Sequence, residues 1–432
     1  MRRVIHLPTR GNLHRSRDIA RCKSMSEAPR PLRIAHLSFS ALPRSVGGLE
    51  IVVDSLIRNQ AEAGHAVTLV TRWKQCRAFR GAGFPYPALA LPPNLRVHSD
   101  PLGPVGPRWP VAAAVRWHQW RHRFDLWHIH WLFPTGWMAH DALVGAGVPV
   151  VLTAHGADIE TDADSGHGFR LNPRHDRRVR DLVQRAACLT AISPSVEARY
   201  LELGAQSDSI QRIPNGVDFS RFHDRPVDPA AVRARHGIPA DRPLVLTVGR
   251  NRPAKGHRFV PAALAALLRA GRRVSWAILG GDPDAMRAIA RAEGVEEHLH
   301  VVPAILGEVG ARSRFPADAV IDLYKAAEVF ALPSLSEGFG LAAVEAMAAG
   351  LPVVATDVPG LRHVVRDGTD GLLCPPADPE GMAAAIGRVL DDKDLRRGLT
   401  NAALETASAH DWQAISSRYL DLYRDLIGGA AR

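Results

Sequence analysis

Ala331-Leu332-Pro333-Ser334-Leu335-Ser336-Glu337-Gly338-Phe339-Gly340-Leu341-Ala342-Ala343-Val344-Glu345 reads as strand, turn and helix in direct succession. The short apolar run 329–332 is of the kind that a strand buried on both faces needs. Pro333 lacks a ladder donor and ends it. A helix then begins near Gly340 and continues to about Ala349. A strand that delivers the chain straight into a helix is the building unit of a parallel α/β sheet.

Working outward, the same unit recurs on both sides. Residues 244–249, 273–280, 301–305 and 353–356 predict further strands, with a helix over 258–270. Farther upstream, 33–39, 65–71, 126–130, 148–153 and 188–192 predict a first set of strands. A helix over 49–63 carries Ile51, Val52, Leu56 and Ile57 at helical spacing. A Pro-, Asp- and Arg-rich stretch lies between the two sets, and 411–427 predicts an amphipathic terminal helix. The expected organisation is a basic extension (1–30), a first Rossmann-like domain that takes the acceptor (31–222), a linker (223–243) and a second Rossmann-like domain that binds the nucleotide sugar (244–408). A terminal helix (409–432) packs back on the first domain. Two doubly wound domains in tandem face each other across a cleft, where open α/β sheets bind their ligands.

The candidate chemistry falls just after strands. The N–H groups of Phe339, Gly340 and Leu341 open a helix and suit an anion. Glu337 precedes that helix and Glu345 lies about two turns along it, and carboxylates of this kind can hold the vicinal diols of a nucleotide sugar. In Val248-Gly249-Arg250-Asn251-Arg252-Pro253-Ala254-Lys255-Gly256-His257, Arg250 and Lys255 put two cations on one loop, enough to neutralise a leaving diphosphate. Gly47 and Gly48 open the first helix and permit a close backbone approach to phosphate or acceptor; both are expected to bind the donor. His155, in Thr153-Ala154-His155-Gly156-Ala157-Asp158, projects from a strand end toward the cleft.

Glu337-x7-Glu345 with Gly-Phe-Gly-Leu inside it, the Arg250/Lys255 loop, the Gly47-Gly48 pair, Thr-x-His-Gly-x-Asp and Pro214-Asn215-Gly216-Val217-Asp218 together resemble glycosyltransferase family 4, retaining enzymes of the GT-B fold. The resemblance covers roughly residues 33–428. It implies that Glu345 binds the ribose hydroxyls and that Glu337 and His155 contact the donor sugar near the reacting carbon. It further implies that the amides of Phe339, Gly340 and Leu341 approach the donor, and that Asp158 lies on the acceptor side. His155, Glu337, Arg250 and Lys255 are thus the expected catalytic set. The implied reaction moves a hexosyl group from a UDP- or GDP-sugar to a glycan, lipid-linked or small-molecule hydroxyl acceptor, in bacterial glycan, glycolipid or envelope polysaccharide biosynthesis. No prosthetic group is expected and no divalent metal, since no Asp-x-Asp motif stands near these loops. An epimerase or phosphorylase of the same fold, or a non-catalytic sugar-nucleotide-binding subunit, are the alternatives.

Charge narrows the partners. The net charge is +10, but residues 1–30 hold eight Lys/Arg against two Asp/Glu, so the body carries only +4. Nucleic acid is not an expected partner. The four cysteines are scattered, which suits a reducing, cytoplasmic setting. Trp117 and Trp120, among Arg116, Arg121 and Arg123, predict either a half-buried surface helix or a peripheral contact with the inner face of the cell membrane. His128 and His130 alternate along one strand and share a face; they are expected to be strand residues rather than metal ligands.

Overall fold

The computed structural model describes residues 30–93, 106–161, 166, 168–305 and 313–430, and the basic head lies outside them. One compact unit begins at Leu32. Its first half holds seven strands: β1 (Arg33–Leu37), β2 (Ala66–Arg72), β3 (Ala88–Leu91), β4 (Leu126–His130), β5 (Val150–Thr153), β6 (Leu189–Ala191) and β7 (Ile210–Arg212). All neighbours pair in parallel, in the order β3-β2-β1-β4-β5-β6-β7. The second half holds β8 (Leu244–Val248), β9 (Ser275–Leu279), β10 (Leu299–Val302), β11 (Val329–Leu332), β12 (Val353–Thr356) and β13 (Gly371–Cys374), again parallel, in the order β10-β9-β8-β11-β12-β13.

Each order reverses once, between β1 and β4 and between β8 and β11. Connections leave those strands in opposite directions, and a crevice opens at their carboxyl ends. The core reflects the sequence pattern. β4, β5, β11 and β12 are buried along their whole length, as strands covered on both faces must be.

The stretch between the two sets of strands is more structured than its composition suggests. The helix Pro229–Arg235 is capped by Asp228, and it buries Val232 and Arg233. Arg233 donates to the Ala326 carbonyl and to Glu328, which also accepts the Leu244 amide at the start of β8. A buried guanidinium satisfied on several sides anchors the connection.

The C-terminal helix Trp412–Ala430 lies against the first half, where Trp412, Ile415, Tyr419, Leu420 and Tyr423 share a buried cluster with Ile34, Val52, Leu56 and Leu126. Trp412 sits on Gly216, where a Cβ would stand 2.6 Å from the indole ring. Glycine there admits the tryptophan, and the Val217–Asp411 bridge continues the junction.

Candidate functional site

β8 ends at Val248 and releases Gly249-Arg250, while β11 ends at Leu332 and releases the Ser334–Gly340 turn. The two loops are adjacent because β8 and β11 are neighbours. The Leu335 amide donates to the Ala254 carbonyl. A Cβ on Gly256 would overlap the Pro333 carbonyl, so glycine is what lets the loops touch. This contact brings Lys255 Nζ to 2.6 Å from Glu337 Oε1, which also accepts from Ser334 Oγ at 2.8 Å. The Glu337 side chain is nearly buried while Lys255 is about one-third exposed. Cation and carboxylate, expected at different parts of a ligand, hold each other in this structure.

The helix Leu341–Ala348 starts from Gly340, whose φ of +91° lies in the left-handed region. A side chain there would also run into Leu361. The role of Gly340 is therefore to set the turn, with Leu361 filling the space, rather than to leave room for a ligand. Gly338 is the glycine that faces the opposite half, where a Cβ would lie 3.7 Å from Gly156 Cα. Phe339 is buried, with its ring near His363 and His410. Among the described residues no acceptor takes the amides of Phe339, Gly340 or Leu341, which leaves the donors of a helix start open.

Glu345 is buried on that helix, and Tyr324 donates to its Oε2 at 2.9 Å. Burial pushes its carboxyl up to about 7, against the pull of the Tyr324 hydroxyl and the Arg221 charge. It is an acceptor poised between two protonation states at neutral pH.

From the first half, Gly47 meets the second half directly. A Cβ there would stand 3.0 Å from Arg250 Cζ and 3.0 Å from Glu50 Oε2. Arg250 thus reaches across the cleft to the loop that opens the first helix. Gly48 has open space around it. Glu50, which the motif reading passed over, is buried and takes the Ser40 hydroxyl beside this contact.

His155 follows β5 at the cleft side of the sheet. The residue is half-buried, and desolvation lowers its pKa to about 3. Asp158 does not lie on an acceptor surface as expected. It is fully buried, its Oδ2 accepting the Leu132 amide at 2.8 Å and its Oδ1 the His155 amide at 3.0 Å. Burial raises it to about 6. Its carboxylate fixes the turn that carries His155, and no oxygen is left facing outward for an acceptor.

His128 and His130 share one face of β4, as strand alternation requires, and register adds His36, which pairs with His128 across β1 and β4. The ligand atoms of the three buried rings lie within 4.8 Å of one another. Each ring nitrogen already has a hydrogen-bond partner. Sequence reading missed His36 because a histidine within the run Ile34–Leu37 carries no signal until the strands are paired. Trp131, next to His130, holds a φ of +77°, a strained conformation for a bulky residue at the crevice.

Comparison with known proteins bears on the family and the fold. Residues 46–221 match the family model described as Glycosyltransferase Family 4, and 229–406 the model described as Glycosyl transferases group 1. The chain is 33% identical to a D-inositol 3-phosphate glycosyltransferase of Acidothermus cellulolyticus, over 92% of its own length and 91% of the relative's. It is 31% identical to the protein of the same name from Saccharomonospora viridis, over 92% and 95%. Among solved structures, a sucrose-phosphate synthase from Thermosynechococcus elongatus superposes with a TM-score of 0.70 at 25% identity, covering 92% of this chain and all of that one. The Anabaena protein HepE, solved in complex with UDP-glucose, superposes with a TM-score of 0.68 at 20% identity, over 91% and 100%.

Proposed function

This chain belongs to the group 1 glycosyl transferases of glycosyltransferase family 4, and from that premise we propose that it moves a hexosyl group from a UDP- or GDP-sugar to a hydroxyl acceptor with retention at the anomeric carbon. It is a glycosyltransferase of the GT-B architecture. One observation carries the finer reading. The loops after β1, β5, β8 and β11 meet at the two crevices, with Arg250 against Gly47 and Lys255 against Glu337.

In this reading Arg250, Lys255 and the open amides of Phe339, Gly340 and Leu341 hold the diphosphate. Glu345 accepts from the ribose hydroxyls, while Glu337 and His155 orient the sugar. The bond from the anomeric carbon to the phosphate oxygen breaks, and the acceptor oxygen bonds to that carbon. The acceptor's proton passes to the departing diphosphate. Cations held beside the departing diphosphate stabilise that developing charge, and in this reading they stand in for a divalent ion. His155, held neutral by desolvation, acts as an orienting acceptor and not as the proton carrier. Approach of the two halves excludes water that would otherwise hydrolyse the donor.

A thermal-shift and turnover screen with UDP-glucose, UDP-N-acetylglucosamine, UDP-galactose and GDP-mannose tests the donor. The acceptor to try first is inositol 3-phosphate, the compound in the relatives' name. Proton NMR of the product then reads the anomer. Stabilisation by one donor and a retained configuration are expected; inversion overturns the retaining mechanism, and no response to any donor overturns the donor class.

A second observation favours contact with a membrane surface. On the helix Trp109–His122, Trp109, Trp117 and Trp120 are 70%, 55% and 72% exposed, while Val111, Val115 and His118 are buried. Arg116 lies on the exposed side with the tryptophans, the pairing that suits an anionic lipid interface. No helix among the described residues is long and apolar enough to cross a membrane.

A further inference from the structure

Behind His155 a line of buried side chains runs into the first half of the molecule. His155 Nε2 lies 3.0 Å from His130 Nδ1, His130 Nε2 lies 3.0 Å from His36 Nδ1, and His36 Nε2 lies 2.8 Å from Gln60 Oε1. His36, His130 and Gln60 are at most 1% exposed. The register of β1, β4 and β5 sets the spacing. His36 pairs with His128, and His130 pairs with Thr153, two residues before His155.

A neutral imidazole has one N–H and one lone pair, so each ring can donate only once. The direction of the line is then settled at its inner end. The Gln60 carbonyl oxygen only accepts, so His36 donates from Nε2 and keeps a lone pair on Nδ1. His130 must donate to that lone pair from Nε2, which leaves its own Nδ1 to accept. His155 in turn must donate from Nε2. At the other end of the amide, Gln60 Nε2 donates to Tyr423 Oη at 3.4 Å. Tyr423 Oη lies 2.6 Å from His128 Nδ1, and His128 Nε2 lies 2.6 Å from Thr153 Oγ1. Turning this amide over would reverse every donor and acceptor along the line, so the orientation of Gln60 and the tautomer of His155 are a single assignment.

We propose that Gln60, His36 and His130 are positioning residues that fix His155 as its Nε2–H tautomer, leaving Nδ1 as a hydrogen-bond acceptor for a hydroxyl of the bound sugar. The last clause rests on the donor reading above; the tautomer itself does not. Burial lowers His36 to about 4 and holds His130 well below its ordinary range, which keeps the line neutral. Charging His36 or His130 would place two N–H groups against each other and break the sequence of donors and acceptors.

The test is nitrogen NMR of the full-length, ligand-free protein labelled with 15N-histidine, at neutral pH. A His155→Asn variant assigns the resonances. The expected result is a pyrrole-type Nε2 and a pyridine-type Nδ1 on His155. The opposite tautomer, or an imidazolium, overturns the proposal. So does a spectrum of His36, His128 and His130 that changes on adding EDTA, because a metal would consume the lone pairs the line needs. His130→Leu should release His155 into a mixture of tautomers. His130→Gln, whose amide can accept on one side and donate on the other, should restore the single form; equal spectra for the two variants would refute the relay. With a donor in hand, His130→Leu should lower kcat roughly tenfold, the loss expected for one hydrogen bond. A failed donor screen would leave the NMR result standing, which separates the two readings.

Discussion

Lys255 Nζ stands 2.6 Å from Glu337 Oε1, so the cation expected on the diphosphate and the carboxylate expected on the sugar neutralise each other across two adjacent loops. A ligand that engages both must part them or bridge them. The pair therefore stores no large stability, since Lys255 is partly exposed and screened. Lys255→Ala should lower kcat/KM by about a hundredfold, the scale of losing one fixed charge stabiliser. Thermal melting should shift little. A variant that melts far below the parent, or that turns over the donor normally, would place Lys255 in the scaffold instead of the site.

The buried carboxyl of Glu345 makes donor affinity depend on pH. Its value of about 7 lies above the ordinary 4.5 because burial disfavours the charge. Only the ionised form accepts from both hydroxyls of a ribose, so donor binding should weaken as pH falls through about 7. Stability runs the other way. A carboxyl raised in the folded state binds the extra proton there, so its contribution is full below about 4.5 and is lost as pH rises through about 7. Calorimetric titration of UDP or GDP across this range, on the parent and on Glu345→Gln, reads the first effect. A pH-independent affinity in the parent would rule out the ribose role.

The central strands of both sheets were legible because burial on two faces demands unbroken apolar runs, as in Leu244–Val248 and Val353–Thr356. Strands β3, β7 and β13 were not predicted, and all three lie at sheet edges. β7, Ile-Gln-Arg, has no fully buried residue, so its sequence carries no strand pattern. The opposite edge, β10, lies at Leu299–Val302 and not at 301–305. In the candidate site, the positions of Arg250, Lys255, Glu337 and His155 were legible because each lies in a loop that follows a strand. Residues defined by register were not. Gln60 lies 24 positions from His36 and 363 from Tyr423, and only the folded sheet and the returning C-terminal helix bring them together. Asp158 was legible by position but not by environment, since nothing in Ala157-Asp158-Ile159 announces that its carboxylate caps two amides.

The neighbouring glycines of the first helix should respond differently to the same methyl group. A Cβ at Gly47 would press on Arg250 and Glu50, although its φ of −173° is open to any residue. The effect of Gly47→Ala is thus steric and falls on the cross-cleft contact. Activity should drop roughly tenfold for a displacement costing about 1–3 kcal/mol. Gly48→Ala meets nothing within 4 Å and replaces a poor helix former at the first helical position. It should melt at the same temperature or slightly higher, with activity intact. Equal losses in the two variants would mean that the loop needs glycine for backbone freedom, and that Arg250 does not press on it.

The exposed tryptophans bear on where the reaction takes place. Trp109, Trp117 and Trp120 together present a large aromatic area on one side of a helix whose other side packs on the core. Inserting such rings into a headgroup layer gains burial that water cannot supply, and Arg116 adds attraction to anionic lipid. Co-sedimentation of the full chain with phosphatidylglycerol-containing vesicles should exceed that with phosphatidylcholine alone. The basic residues 1–30 also attract anionic vesicles, so charge alone cannot identify the helix. Salt separates the two contributions. Attraction by the head is screened as ionic strength rises, whereas insertion of aromatic rings persists. Trp117→Ala/Trp120→Ala should therefore lose the salt-resistant fraction and keep the salt-sensitive one. A double variant that binds like the parent at every salt concentration would show that these tryptophans do not face a membrane.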